Sequence, residues 1–299
     1  MKFFITASKQ FFRTLLSCDT LSTLENGFAE IGGGKIYYEI TGDPKDFPVV
    51  LIHAGFLDRR MWDEQFNSFA AEGFRVIRYD MRGLGKSDKP QSKYDNAADL
   101  MELLDRVGWN EKSCIIGVSN GGSAAIDFAI EYPTRVKCLV LVAPTVNGYE
   151  FSDIHEEKLW KTIDKESQDQ ERAVKENRFE DAVKIQLDIV ASALSKEARE
   201  KMFKVAIDNC YVFVHPLSEM QRQKNPPAFK RLSEISVPTL LLWGDRDFPG
   251  QISLAERVHS LIPQSKRTLI HGADHLVNVS QPELFNRVVL NFLRSQKNQ

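Results

Sequence analysis

An excess of positive charge is missing from this chain: 39 Lys and Arg face 41 Asp and Glu, for a formal net charge of −2. Phosphate backbones are bound by clustered Lys and Arg, so the balance argues against a nucleic-acid partner. Long apolar runs are also missing. None approaches the ~20 residues of a membrane span, and no transmembrane span is expected. Cysteine is sparse, with four residues (Cys18, Cys114, Cys138, Cys210) far apart and in no C-x-x-C or metal-ligand spacing. They read as reduced structural thiols, which demand no oxidising compartment and fit a cytoplasmic protein. Internal repeats and low-complexity tracts are absent. So are the glycine signatures of nucleotide sites. Gly85-Lys86-Ser87 has Asp80 where a phosphate loop needs glycine, and a carboxylate there would repel phosphate. Gly83-x-Gly85 is followed by Asp88 where a dinucleotide fingerprint needs its third glycine. No metal or organic cofactor is implied.

What is present is an alternation of strands and helices. Phe28–Ile31, the glycines 32–34 and Lys35–Thr41 read as a β-hairpin. Val49–His53, Arg75–Tyr79, Cys114–Val118 and Val136–Val142 are short apolar runs, separated by helical stretches at Met61–Glu72, Ala97–Val107 and Gly121–Glu131. That rhythm predicts an α/β fold, with a mostly parallel sheet covered by helices on both faces. After Pro144 the chain turns charged and helical, and strands resume at Leu240–Trp243 and Thr268–Ile270 before an amphipathic helix from Pro282 to Leu293. The pattern divides into a core of residues 28–144 and 236–299, with a helical cap insert at 145–235. Residues 1–27 form an N-terminal extension. Lys2, Lys9 and Arg13 among Phe4, Ile5, Phe11, Phe12, Leu15 and Leu16 give it the look of a basic amphipathic targeting or membrane-surface helix. Lys9, Gln10 and Arg13 break what a secretory signal would need as an unbroken apolar stretch.

The strongest chemical signal is Gly117-Val118-Ser119-Asn120-Gly121-Gly122, directly after a strand and directly before a helix. This is the G-x-S-x-G nucleophile elbow in its required context. Ser119 must sit at the tip of a strained strand-to-helix turn, and a Cβ at either Gly117 or Gly121 is expected to strike the opposite limb. The helix N-terminus then directs free N–H groups at the serine. A serine needs a base, and the base an orienting carboxylate, in the chain order Ser, acid, His. Downstream, Gly244-Asp245-Arg246-Asp247 follows one strand and Gly272-Ala273-Asp274-His275 follows the next. Catalytic groups of open α/β sheets gather at such carboxyl ends. The spacing leaves Asp245 and Asp247 both open as the acid. His53 and His271 read as loop residues held by hydrogen bonds, and His155, His215 and His259 as solvated.

These motifs give the chain a resemblance to the α/β-hydrolase superfamily from about Phe28 to Leu293. Asp80-Met81-Arg82-Gly83-Leu84-Gly85-Lys86-Ser87-Asp88 looks like that family's D-x-R-G-x-G-x-S-D loop, and His53-Ala54-Gly55 stands where many members carry the H-G-x oxyanion loop. The resemblance implies the acid three residues after Gly244, which selects Asp247. It implies an oxyanion hole from the backbone N–H groups of Asn120 and Gly55, with Phe56 the alternative if the loop is shifted by one. Ala54 replaces the usual glycine, and Asn120 stands where the family often has methionine or glutamine. Residues His53 to Trp62 and the helical cap look most like the branch of 3-oxoadipate enol-lactonases and small carboxylesterases.

The expected catalytic residues are therefore Ser119, Asp247 and His275, acting on a small-molecule ester or lactone through an acyl-enzyme. Trp160, Leu187, Val190, Phe203, Tyr211 and Phe213 are expected to roof the pocket. C–C bond hydrolysis and perhydrolysis use the same triad and stay open, as does a non-catalytic receptor of the same fold. Haloalkane dehalogenases and epoxide hydrolases are set aside because their resemblance requires aspartate at the elbow.

Overall fold

β-branched and aliphatic runs become strands wherever glycine or proline punctuates them. A computed structural model describes residues 24–297. The amphipathic reading of the N-terminal segment, up to residue 23, and Cys18 lie outside the described residues. β1 (Glu25–Ile31) and β2 (Gly34–Thr41) make the expected hairpin. β1 begins at Glu25, ahead of the expected Phe28, because Glu25, Asn26 and Gly27 pair with Ile40, Glu39 and Tyr38 through backbone that carries no apolar pattern.

β3 (Phe47–Ile52), α1 (Asp63–Ala71), β4 (Phe74–Tyr79), α2 (Asn96–Arg106), β5 (Ser113–Val118), α3 (Asn120–Glu131) and β6 (Val136–Val142) follow in turn. Between β6 and the next strand come helices only: α4 (Ile154–Trp160), α5 (Asp164–Lys175), α6 (Phe179–Val190), α7 (Lys196–Asp208), α8 (Tyr211–Val214) and α9 (Leu217–Met220). The chain ends with β7 (Thr239–Gly244), α10 (Pro249–Leu261), β8 (Lys266–Ile270), α11 (Val277–Ser280) and α12 (Pro282–Lys297).

The strands form one 8-stranded sheet in the order β1-β2-β4-β3-β5-β6-β7-β8. β2 pairs antiparallel with β1 and β4, and every other neighbour pair is parallel. β5 and β7 are buried throughout, which is why they read as unbroken apolar runs and not as alternations. Alternate residues of β5, β6 and β7 feed two cores. Ile115, Leu139, Leu141 and Leu241 pack with α2, α3 and α10 on one face. Cys114, Ile116, Val140 and Leu242 pack with α12 and part of α6 and α7 on the other. Cys114 and Cys138 are free thiols in that second core, and Cys210 is a half-buried one. Among the described residues no helix is long and apolar enough to cross a membrane.

One feature of the strand order decides where chemistry can sit. The chain leaves β3 for β4 on one side, then crosses back to lay β5 on the other side of β3. The loops after β3 and β5 therefore diverge from neighbouring strands, and the crevice between them is where open α/β sheets bind ligands.

Candidate active site

Ser119 stands in that crevice, between the last residue of β5 and the first of α3. Its backbone takes φ 55° and ψ −117°, a conformation that an L-residue holds only when its surroundings enforce it. The enforcement is visible. Ser119 N donates to Val142 O of β6 at 2.9 Å, and Ser119 O accepts from Ser123 N and Thr145 N, each at 3.1 Å. A Cβ on Gly117 would lie 2.2 Å from Gly121 O, the collision across the turn that the motif anticipates. Gly121 is constrained differently. Its Cβ would lie 2.4 Å from Ile52 O and 2.6 Å from His53 O, so it meets the end of β3 and not the opposite limb.

The loop after β3 carries Gly55 to the elbow. A methyl group there would stand 2.8 Å from Asn120 Nδ2, so Gly55 and Asn120 are in contact. Phe56 is the next residue on the same half-buried turn. The D-x-R-G-x-G-x-S-D loop is the scaffold of this turn. Asp80, fully buried, accepts from Arg59 N at 3.0 Å, Arg59 Nη1 at 2.9 Å and Lys86 N at 2.8 Å. His53 is equally buried. Met81 N–H donates to its Nε2 at 2.8 Å, so the ring proton lies on Nδ1, which donates to Ala54 O at 2.9 Å. Burial holds the imidazole's pKa below its ordinary value, and with both nitrogens engaged His53 is a neutral structural residue.

The third contribution comes from the loops after β7 and β8. They meet because Gly244 lacks a side chain: a Cβ would lie 2.0 Å from Ala273 O. Arg246 N donates to Ala273 O at 2.9 Å and fixes the register of the two loops. His275 Nδ1 then donates to Asp247 Oδ2 at 2.8 Å, with both side chains buried. Asp247 Oδ1 accepts from Phe248 N at 2.9 Å, so both carboxylate oxygens are committed. Burial alone would depress the His275 pKa, but the Asp247 carboxylate outweighs it, Asp274 adds to that, and the net shift is upward.

The two acids that the spacing left open are separated by these bonds. Asp245 turns outward, accepting from Gly272 N at 2.7 Å and from His271 Nδ1 at 2.9 Å. It staples the far end of the loop that carries His275, and His271 is held in that loop as expected.

One wall beside the imidazole is aromatic. The Phe248 ring lies 6.2 Å from the His275 ring, and Trp160, the last residue of α4, lies 5.3 Å from Phe248. Tyr149 continues the row 5.9 Å beyond Trp160. Of the six side chains expected as a roof, Trp160 reaches this wall. Leu187 and Val190 are buried in the second core, with Phe203 and Phe213 packed against it, and Tyr211 packs on the first.

The arrangement matches a family. The alpha/beta hydrolase fold model fits residues 48–282, from the start of β3 to the start of α12. The chain belongs to the α/β-hydrolase family. Among its relatives, this α/β hydrolase is 30% identical over 276 residues to the 2-hydroxy-6-oxononadienedioate/2-hydroxy-6-oxononatrienedioate hydrolase of Burkholderia vietnamiensis, covering 87% of this chain and 91% of that one. It is 25% identical to the carboxylesterase YbfK of Bacillus subtilis, over 87% of this chain and 84% of that protein. In three dimensions it resembles the bromoperoxidase of Bacillus anthracis, with a TM-score of 0.73 and 26% identity over 90% of this chain and 100% of the other. The thermophilic esterase of Thermogutta terrifontis superposes with a TM-score of 0.69 at 25% identity, over 92% and 99% of the two chains.

Two residues beside the imidazole escaped the sequence. Phe248 was given no role in the sequence pattern. Asp274 looked like part of the histidine motif, and only its position next to His275 drew attention to it.

Proposed function

We propose that this α/β hydrolase cleaves a carboxylic ester or lactone through an acyl-enzyme on Ser119, with His275 as base and Asp247 as its orienting acid. The observation that carries the reading is the buried 2.8 Å bond from His275 Nδ1 to Asp247 Oδ2, made by two post-strand loops of a sheet whose β5 is followed by a serine held at positive φ. With its proton on Nδ1, His275 keeps Nε2 free to accept a proton from Ser119 Oγ as that oxygen attacks the carbonyl carbon. The N–H groups of Asn120 and Gly55 would hold the resulting oxyanion, each donor contributing on the order of 10²–10³ in rate. Collapse passes the proton to the leaving alkoxide. Water, activated by the same imidazole, then releases the acid. Helices α4–α9, within residues 145–235, serve in this reading as a cap over the crevice, with Trp160 and Phe248 as an apolar wall beside the base.

A second reading has specific support. A relative 30% identical over 91% of its own length is named as a hydrolase of 2-hydroxy-6-oxononadienedioate, a diacid whose name contains no ester, so that hydrolysis would break a carbon–carbon bond. The two readings are separated by one panel: short-chain p-nitrophenyl esters, γ- and δ-lactones, and 2-hydroxy-6-oxononadienedioate, each compared by kcat/KM. The proposal expects turnover of esters or lactones to exceed that of the hydroxy-oxo diacid. The reverse order assigns the site to C–C cleavage, and no turnover of any member argues for a binding protein on this fold.

A further inference from the structure

His275 is flanked by a second buried carboxylate whose bonds run away from the reaction. Asp274 is 1% exposed. Its Oδ1 accepts from Leu276 N at 3.0 Å, an Asx-type turn that closes around His275 itself. Its Oδ2 accepts from Ala193 N at 2.8 Å. Ala193 belongs to the link between α6 and α7, so one carboxylate ties the loop of the base to the helical insert.

The surroundings make that tie conspicuous. Behind the His275 loop, the seam between insert and core is a cavity of about 460 Å³, lined by Met61, Ser195, Lys201, Met202, Asn278 and Pro282 among others. The bond from Ala193 to Asp274 joins the same two parts of the chain, two residues before the lining Ser195. At the far end of α7, Asn209 Nδ2 donates to Asp58 Oδ2 at 2.9 Å, and Asn209 Oδ1 accepts from Gly85 N at 2.7 Å. Asp58 lies on the turn that follows Gly55 and Phe56. The stretch from Ala193 to Asn209, which contains α7, is therefore tied at its start to the loop carrying His275 and at its end to the turn of Asp58.

We infer that Asp274 is a positioning residue: its carboxylate locks the His275 loop to the α6–α7 link, so that the imidazole is aligned when the insert is seated and misaligned when it lifts. This rests on His275 being the base. Holding a catalytic group within a fraction of an ångström is worth much in rate, and a displacement of about 1 Å can lower it about 10²-fold.

The chemistry supplies a selective break from each side. Asp274→Asn is isosteric but offers one oxygen to two donors, so its NH₂ group faces either Ala193 N, breaking the tie, or Leu276 N, breaking the turn around His275. Ala193→Pro removes the donor and leaves the carboxylate alone. Each variant, and the pair together, is measured for the rate of Ser119 labelling by a fluorophosphonate and for kcat and KM on a p-nitrophenyl ester, with His275→Ala alongside. Both single variants should lose on the order of 10- to 100-fold in kcat and labelling rate, with KM little changed. The double variant should lose no more than either single one, because all three loosen the hold of the same side chain. Asp274→Asn should also move the acid limb of kcat/KM to lower pH by removing a negative charge beside His275, whereas Ala193→Pro keeps the charge and should leave the limb in place while still lowering kcat. Wild-type kcat and labelling in Asp274→Asn, or losses that multiply in the double variant, overturn the inference. Asp274→Asn decides alone if the proline variant does not fold. A His275→Ala variant that still labels at the wild-type rate overturns the triad itself, a different failure from silent tie variants beside a dead His275→Ala.

Discussion

Replacing Asp247 by asparagine tests the site at its most constrained atom. Both oxygens of Asp247 are committed, Oδ2 to His275 Nδ1–H at 2.8 Å and Oδ1 to Phe248 N–H at 2.9 Å. Asparagine offers one oxygen to two donors. If that oxygen keeps Phe248 N–H, the amide NH₂ faces Nδ1, and the imidazole must carry its proton on Nε2, where it cannot serve as a base. If the oxygen keeps His275, the NH₂ group is buried against Phe248 N–H, at a cost of about 1–3 kcal/mol. Either way the imidazolium formed during attack loses its counter-charge. The expected loss in kcat is about 10⁴-fold, or about 5 kcal/mol of transition-state stabilisation. Asp245→Asn is the matched control. Its partner His271 is 82% exposed, and removing a charge from so wet a pair should change kcat by no more than a few-fold. Steady-state hydrolysis of a p-nitrophenyl ester by both variants, with circular dichroism to verify folding, gives the comparison. Equal losses in the two variants, or an Asp247→Asn enzyme within tenfold of wild type, would refute the argument.

Further expectations follow from other parts of the molecule. Because the His275 pKa is raised and the base must be neutral, kcat/KM should climb with pH along an acid limb whose midpoint lies above the ordinary imidazole value of about 6.5; a midpoint below it in a pH–rate profile contradicts the electrostatics. Burial pushes the Asp127 carboxyl up to about 6 against the hydrogen bond from Asn147, so the folded state binds this proton more tightly than the unfolded chain does. That favourable contribution is present at low pH and lost as pH rises through about 6. Asp127→Asn should accordingly be more stable than wild type by roughly 3 kcal/mol near pH 8 and nearly equal to it near pH 4, as read by urea unfolding at both. Gly121→Ala sets a methyl group 2.4 Å from Ile52 O, which only backbone movement can relieve. A destabilisation of about 1–3 kcal/mol or more is expected by thermal melting, with activity lost as the elbow shifts.

The legible parts of the molecule were those whose constraints are local. Ser119 between Gly117 and Gly121 declares itself because the turn, the strand before it and the helix after it all leave marks within a dozen residues. The strands β3, β5, β6 and β7 were readable because burial on both faces demands continuous apolar runs. What stayed hidden depends on pairs distant in sequence. Gly121 is required by the end of β3, which the pentapeptide does not contain. The expectation of Asp247 over Asp245 rested on family resemblance; what the spacing could not show is the approach of Gly244 to Ala273, with Asp247 bonded to His275 and Asp245 to His271. The Asp274–Ala193 bond joins the loop of His275 to the insert across 81 positions of chain and leaves no periodic trace. Glu25–Gly27 entered β1 through ladder bonds alone, so no hydrophobic pattern marked the start of the strand.

The most direct measurement of the central claim is covalent: react the protein with a fluorophosphonate probe and map the adduct by peptide mass spectrometry. The account predicts a single modification on Ser119, absent in Ser119→Ala and strongly slowed in His275→Ala. An adduct on another residue, or undiminished labelling of Ser119→Ala, would contradict it.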